Sequence, residues 1–154
     1  MWTYILDDQN EIVSETQAAP APGLTYVQRP GRFNQRKQYW DSESSQFINR
    51  PMLHLSVLVD GQTVEIAEEG DEITFEAQAR DQNSNEILAG YNETVIVRIF
   101  PEGAPSLNLR LAFSNGVASK TLTLASSTYL VSAKESLDSQ EMFLPLDVAL
   151  VVSL

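Results

Sequence analysis

The chain has 154 residues, no cysteine, a single histidine and 21 Asp+Glu against 10 Lys+Arg, for a net charge of -11. The lack of cysteine removes disulfides, thiolate zinc sites, iron–sulfur clusters and cysteine nucleophiles, and the lone His54 removes multi-histidine metal sites and His-pair mechanisms. The acidity argues against a nucleic-acid partner, which requires clustered Lys and Arg to neutralise phosphates, whereas 43% hydrophobic residues suffice for a packed core.

The opening Met1-Trp-Thr-Tyr-Ile-Leu-Asp-Asp has neither the basic start nor the ~7–15 apolar residues of a secretory signal. The longest apolar run, Val148 to Val152, is far short of the ~20 residues that span a bilayer. The expectation is a chain made in a cytoplasm, without membrane insertion.

Charge and composition divide the chain near Pro51. Residues 1–51 carry five basic and six acidic side chains, both tryptophans and three of the five tyrosines. Residues 52–154 carry five basic and fifteen acidic ones and are rich in Val, Ile, Leu, Thr and Ser. In the first part, Trp2–Leu6 and Glu11–Ser14 flank a polar turn and predict a β-hairpin. The Pro-rich Gln17–Gly23 predicts an extended connector. Short strands are expected at Leu24–Gln28, Lys37–Trp40 and Gln46–Asn49, giving a small β module stapled by aromatic residues.

In the second part, Ile73, Phe75, Ala77 and Ala79 alternate with polar residues, as do Leu107, Leu109, Leu111 and Phe113, the period of a strand with one wet face. Further strands are expected at Leu53–Val59, Thr94–Phe100, Val117–Leu124, Thr128–Ala133 and Leu146–Val152. Asp60-Gly61, Glu69-Gly70-Asp71, Asp81–Asn85, Pro101-Glu-Gly103 and Asn115-Gly116 separate them with turn chemistry. No helical period is sustained, so the fold class is all-β, a β-sandwich preceded by a small hairpin and extended arm.

The run from Leu53 to Glu135 resembles a bacterial or phage immunoglobulin-like domain of the invasin/intimin kind. The resemblance is carried by Glu68–Asp81, Thr94–Ile99, Asn115-Gly-Val-Ala-Ser-Lys-Thr-Leu-Thr-Leu124 and Thr128-Tyr-Leu-Val-Ser-Ala133. It implies that Tyr129 occupies a corner position, its phenol bonding backbone across the sandwich. Met142–Leu154 departs from the pattern, adding an apolar strand after the spacer Ser136–Gln140. The first part resembles terminal modules of tailed-phage tail fibres and other virion accessories in the order of Trp2–Leu6, Asp7–Asn10, Glu11–Val13, Pro20–Gly23, Tyr39-Trp40-Asp41, Phe47 and Arg50-Pro51. The two resemblances together imply a virion protein made in host cytoplasm.

The candidate interface is the basic and aromatic run Arg29, Arg32, Phe33, Arg36, Lys37, Tyr39 and Trp40 in the arm. Arg, Tyr and Trp are enriched at protein interfaces. The same composition can stack single-stranded nucleic acid, but an acidic protein neighbour is the expected partner. His54 lacks the nucleophile and orienting group that a general base needs, and carboxylates in turns are ordinarily solvated rather than held ~5–10 Å apart in a glycosidase cleft. A calcium site on Glu69, Asp71 and Asp81 is the alternative for these acids, although no EF-hand spacing is present. Arg29-Pro-Gly-Arg32 lacks the following helix of a phosphate loop, and no cofactor is implied.

The expected function is therefore a non-enzymatic structural protein of a tailed-phage virion. The arm, 1–51, would dock onto other virion proteins, and the immunoglobulin-like sandwich, 52–154, would project in a multi-copy assembly. A tail-fibre or baseplate component is the first expectation. The alternatives are a capsid decoration protein and an adhesion module for a host surface glycan.

Overall fold

The computed structural model describes residues 1–137 and 142–154. Fourteen strands and no helix are found among them, so no helix is long and apolar enough to cross a membrane. The fold class is all-β, in two units, Met1–Asn49 and Arg50–Leu154.

In the first unit, β1 (Trp2–Leu6) lies between β2 (Ile12–Thr16) and β3 (Thr25–Arg29), antiparallel to both. The β1–β2 turn closes because the Asp7 carboxylate accepts the Gln9 and Glu11 amides, each at 2.9 Å, while Asn10 takes the left-handed conformation that Asn tolerates. A second hairpin pairs β4 (Gln38–Asp41) with β5 (Gln46–Asn49) and sets Trp40 directly opposite Phe47.

The second unit contains two sheets. One has the order β12 (Val117–Leu122), β9 (Ile73–Arg80), β6 (Met52–Val59) and β7 (Gln62–Thr63). The other has the order β11 (Leu107–Ala112), β10 (Thr94–Pro101), β13 (Ser127–Val131), β14 (Val148–Ser153) and β8 (Ile66–Glu68). Period-2 alternation buries Leu53, Leu55 and Val57 of β6 with Ile73, Phe75, Ala77 and Ala79 of β9. These join Val95, Val97, Ile99, Leu109, Leu111, Tyr129, Val131, Leu150 and Val152 of the other sheet in one hydrophobic core. Burial of this kind stabilises by about 25 cal/mol per Å² of apolar surface.

Two strands are absent from the periodicity. β7 and β8 have two and three residues, and Ile66 of β8 is 66% exposed, so neither offers a run over which alternation could register. β8 forms by pairing parallel to β14. The apolar C-terminal segment is an integral part of the sheet, not an addition to it: β14 lies between β13 and β8. Met142, Phe143 and Leu144 are buried, with the Phe143 backbone bonded to Pro51 and Leu53. β14 begins after Leu146, which is 74% exposed beside Pro145. Most of the spacer Ser136–Gln140 falls within 138–141, outside the described residues.

Candidate functional site

Tyr4 is fully buried at the centre of β1 and organises the first unit. Its ring meets Phe33 edge-on at 5.4 Å and Phe47 at 5.2 Å, and its phenol oxygen accepts the Phe33 amide at 2.8 Å. Phe47 also contacts Trp40 at 4.9 Å, and the Arg29 guanidinium sits 4.8 Å above its ring while donating to the Gln38 side chain. The Trp40 indole donates to the Asn10 carbonyl at 2.7 Å, tying the second hairpin to the first turn. Aromatic pairs in such geometry each add ~0.5–1.5 kcal/mol beyond area burial.

This arrangement divides the interface run expected from sequence. Phe33 and Trp40 are half-buried parts of the unit's own aromatic cluster, and Arg29 covers it. In a unit of fewer than fifty residues, which has little else to bury, these three residues staple its own small core. Arg32 is exposed but pairs with Glu15 across the sheet and lies over the Trp2 ring at 5.2 Å. The hydrogen bond to Glu15 raises its pKa above the usual guanidinium value. Glu15 carried no sequence signal, since only the tertiary turn of the chain brings it to Arg32.

The outward residues are Arg36, Lys37 and Tyr39. The Asn34 side chain accepts the Arg36 amide at 3.0 Å and its carbonyl accepts those of Lys37 and Gln38, forming a turn that carries both cations into solvent. Tyr39 is 39% exposed on the hairpin face opposite Trp40, and Tyr26 on β3 is 47% exposed. Exposed cations on such a turn, and an exposed phenol two residues on, are the side-chain types that meet carboxylates and apolar groups at protein interfaces. Nothing in its geometry provides a nucleophile with a base.

In the second unit, His54 is exposed on the outer face of β6, opposite Gln78. Partial burial, with a smaller contribution from the Arg80 charge, holds its pKa below the usual imidazole value. The suggested calcium ligands are not brought together. Glu69 and Asp71 precede β9 and Asp81 follows it, so an eight-residue strand, about 26 Å long, separates them. Asp71 is occupied by the Glu68 amide, and Asp81 by those of Asn83 and Ser84. Among the described residues, no group of three or more His, Asp or Glu side chains could hold a metal ion.

Tyr129 stands near the start of β13, buried, with its phenol bonded to the Ala125 carbonyl. The bond is local, four residues back along the chain, and does not cross the sandwich as the sequence reading expected. Compared with protein-family models, with curated proteins and with solved structures, the chain matches none.

Proposed function

We propose that this chain is a non-enzymatic structural protein of a tailed-phage virion, its first unit docking onto neighbouring particle proteins and its second unit serving as a projecting immunoglobulin-like domain. The observation that carries the immunoglobulin-like reading is the strand order β12-β9-β6 in one sheet and β11-β10-β13-β14-β8 in the other, together with the Tyr129–Ala125 bond. A tyrosine near the start of the penultimate strand, bonding backbone a few residues upstream, is a hallmark of such sandwiches. The docking role is supported by the exposure of Arg36 and Lys37 on the Asn34 turn and of Tyr39 on the hairpin that follows.

A tail-fibre or baseplate position is the first reading, by resemblance of the arm. Electron microscopy of purified particles tests it. Density for the chain at the tail in few copies supports the proposal. Density in hundreds of copies moves the protein to the capsid surface, and absence from particles overturns it. The double variant Arg36→Glu/Lys37→Glu is expected to lower incorporation about tenfold, equivalent to about 1.4 kcal/mol of docking free energy. Unchanged incorporation would remove the turn from the interface.

A further inference from the structure

Each sheet of the second unit ends in two edge strands, and the outer backbone N–H and C=O groups of an edge are a template for pairing with another chain. In the smaller sheet these strands are β12 and β7, and in the larger β11 and β8. β7 and β8 have only two and three residues, whereas β11 and β12 have six each. Bond alternation along the antiparallel ladders identifies the outward groups of the two long edges. The Phe113 amide donates to Glu93 and the Gly116 carbonyl accepts from Ala79, so every second residue from these points bonds to the neighbouring strand. The residues left facing outward are Asn108, Arg110 and Ala112 on β11, and Val117, Ser119 and Thr121 on β12. Ser114 takes both bonds of Val117, at 2.8 and 3.2 Å. The remaining outward groups bond to no other backbone among the described residues.

A cation stands on each of these long edges. Lys120 lies opposite Phe75 on the core side of β12, between Ala118 and Leu122, which both pack against the core. It is nevertheless exposed, its stem leaving the rim of the sandwich with the ammonium in water. Strand alternation calls for an apolar residue there, so packing within the unit does not account for a lysine. On β11, the exposed Arg110 is the middle one of the three outward-bonding residues.

We propose that Lys120 and Arg110 keep the two long edges from pairing with other copies of the chain. The antiparallel register that engages Ser119 and Thr121 of both copies sets Lys120 directly opposite its own counterpart. The register that engages Asn108, Arg110 and Ala112 of both copies likewise sets Arg110 opposite Arg110. Residues so opposed are only ~4.5–5.5 Å apart between Cα atoms, and like charges there are destabilising. Antiparallel pairing of β11 in one copy with β12 in the next is the head-to-tail arrangement from which filaments grow. It sets Lys120 opposite Leu109 or Leu111, where the ammonium would lose water without gaining a partner. One cation per edge therefore opposes each of these pairings, and the other two edges are too short to need one. The inference does not rest on the virion reading, which is tested separately by particle microscopy and by the Arg36 and Lys37 variants.

The test compares the full wild-type chain with Lys120→Val, Lys120→Glu and Arg110→Val by sedimentation velocity from about 1 to 100 µM. Lys120→Val makes the core side of β12 continuously apolar, and it is expected to self-associate about tenfold more tightly than the wild type. The Ser119 and Thr121 amides should at the same time gain protection from hydrogen exchange. Arg110→Val should act in the same way through β11, protecting the Asn108 and Ala112 amides. Lys120→Glu keeps like charges opposed and should sediment as the wild type does. Should Lys120→Val lose its fold by circular dichroism, Arg110→Val carries the test on the other edge. Lys120→Val and Arg110→Val chains that sediment as the wild type does overturn the proposal. So does association that leaves the edge amides unprotected, which places the contact on another surface, or a Lys120→Glu chain that associates as tightly as Lys120→Val, which removes charge as the cause.

Discussion

The Tyr129 phenol donates to the Ala125 carbonyl at 2.6 Å, pinning the connection between β12 and β13 to the buried end of the strand that follows it. The contact costs no charge and removes a buried hydroxyl from the list of groups that would otherwise lack a partner. Burial, with a smaller contribution from the Glu69 charge, raises the phenol's pKa above the usual tyrosine value.

Tyr129→Phe is expected to lower stability by about 1 kcal/mol in denaturant unfolding, the usual net worth of one hydrogen bond. Because the folded-state pKa is raised, Tyr129 favours the native state at pH values below the ordinary tyrosine pKa near ~10 and loses that contribution as pH rises through the folded value. The variant should accordingly show a shallower fall in stability above that pH than the wild type; parallel curves would remove the phenol from the linkage.

Gly116 has φ +81, and a Cβ there would lie 2.4 Å from the Leu88 carbonyl oxygen. Its amide and carbonyl are also bonded, to Tyr91 and Ala79, so the backbone has little freedom to retreat. Gly116→Ala should therefore cost about 3 kcal/mol or more, combining left-handed strain with a backbone clash. Gly61, at φ +76 with open space around it, isolates the first component, and Gly61→Ala should cost only about 1 kcal/mol. Equal losses in thermal or urea unfolding would show that the Leu88 contact is without consequence.

Phe47 touches Tyr4, Phe33, Trp40 and Arg29. Phe47→Ala should destabilise the first unit by about 3 kcal/mol, in the range for truncating a packed phenylalanine. Both tryptophans, Trp2 and Trp40, are in that unit, so their fluorescence reports on it alone. The expected result is an earlier fluorescence transition, and an unmoved midpoint would mean that the cluster contributes little.

The Asp81 carboxylate accepts the Asn83 and Ser84 amides at 2.8 and 2.9 Å, and these bonds, Ser84 first, lower its pKa. The stabilisation is present above the ordinary aspartate pKa and is lost as pH falls through the folded value. NMR titration should find Asp81 still ionised where unbonded aspartates have begun to protonate. Ser84→Pro, which deletes both the amide and the hydroxyl donor of Ser84, should move it back toward the ordinary value, and an Asp81 titration identical in both chains would count against the turn bonds as the cause.

Most of the second unit was legible as strands because each of β6, β9, β10 and β11 is long enough to show its alternation and faces a single core. β9 begins and ends where the pattern of Ile73, Phe75, Ala77 and Ala79 begins and ends. β8 was invisible because three residues carry no period and its pairing is with β14, more than eighty residues away in sequence. The basic and aromatic run of the arm was legible as composition, but its packing was not. Residue type identified a basic and aromatic surface, but the same Phe33 and Trp40 that suit an interface also suit a small core, and composition cannot distinguish the two uses.

Alternation, turn residues and charge balance are properties of neighbouring residues, and from them follow the all-β class, the strands long enough to repeat and the uneven acidity of the chain. Which cations meet a carboxylate and which face solvent, whether Glu69, Asp71 and Asp81 share a site, and which apolar side chains remain outside the core depend on segments far apart in the chain. Those were decided by sheet register, because pairing one strand with another places whole columns of side chains together or at opposite ends at a single step.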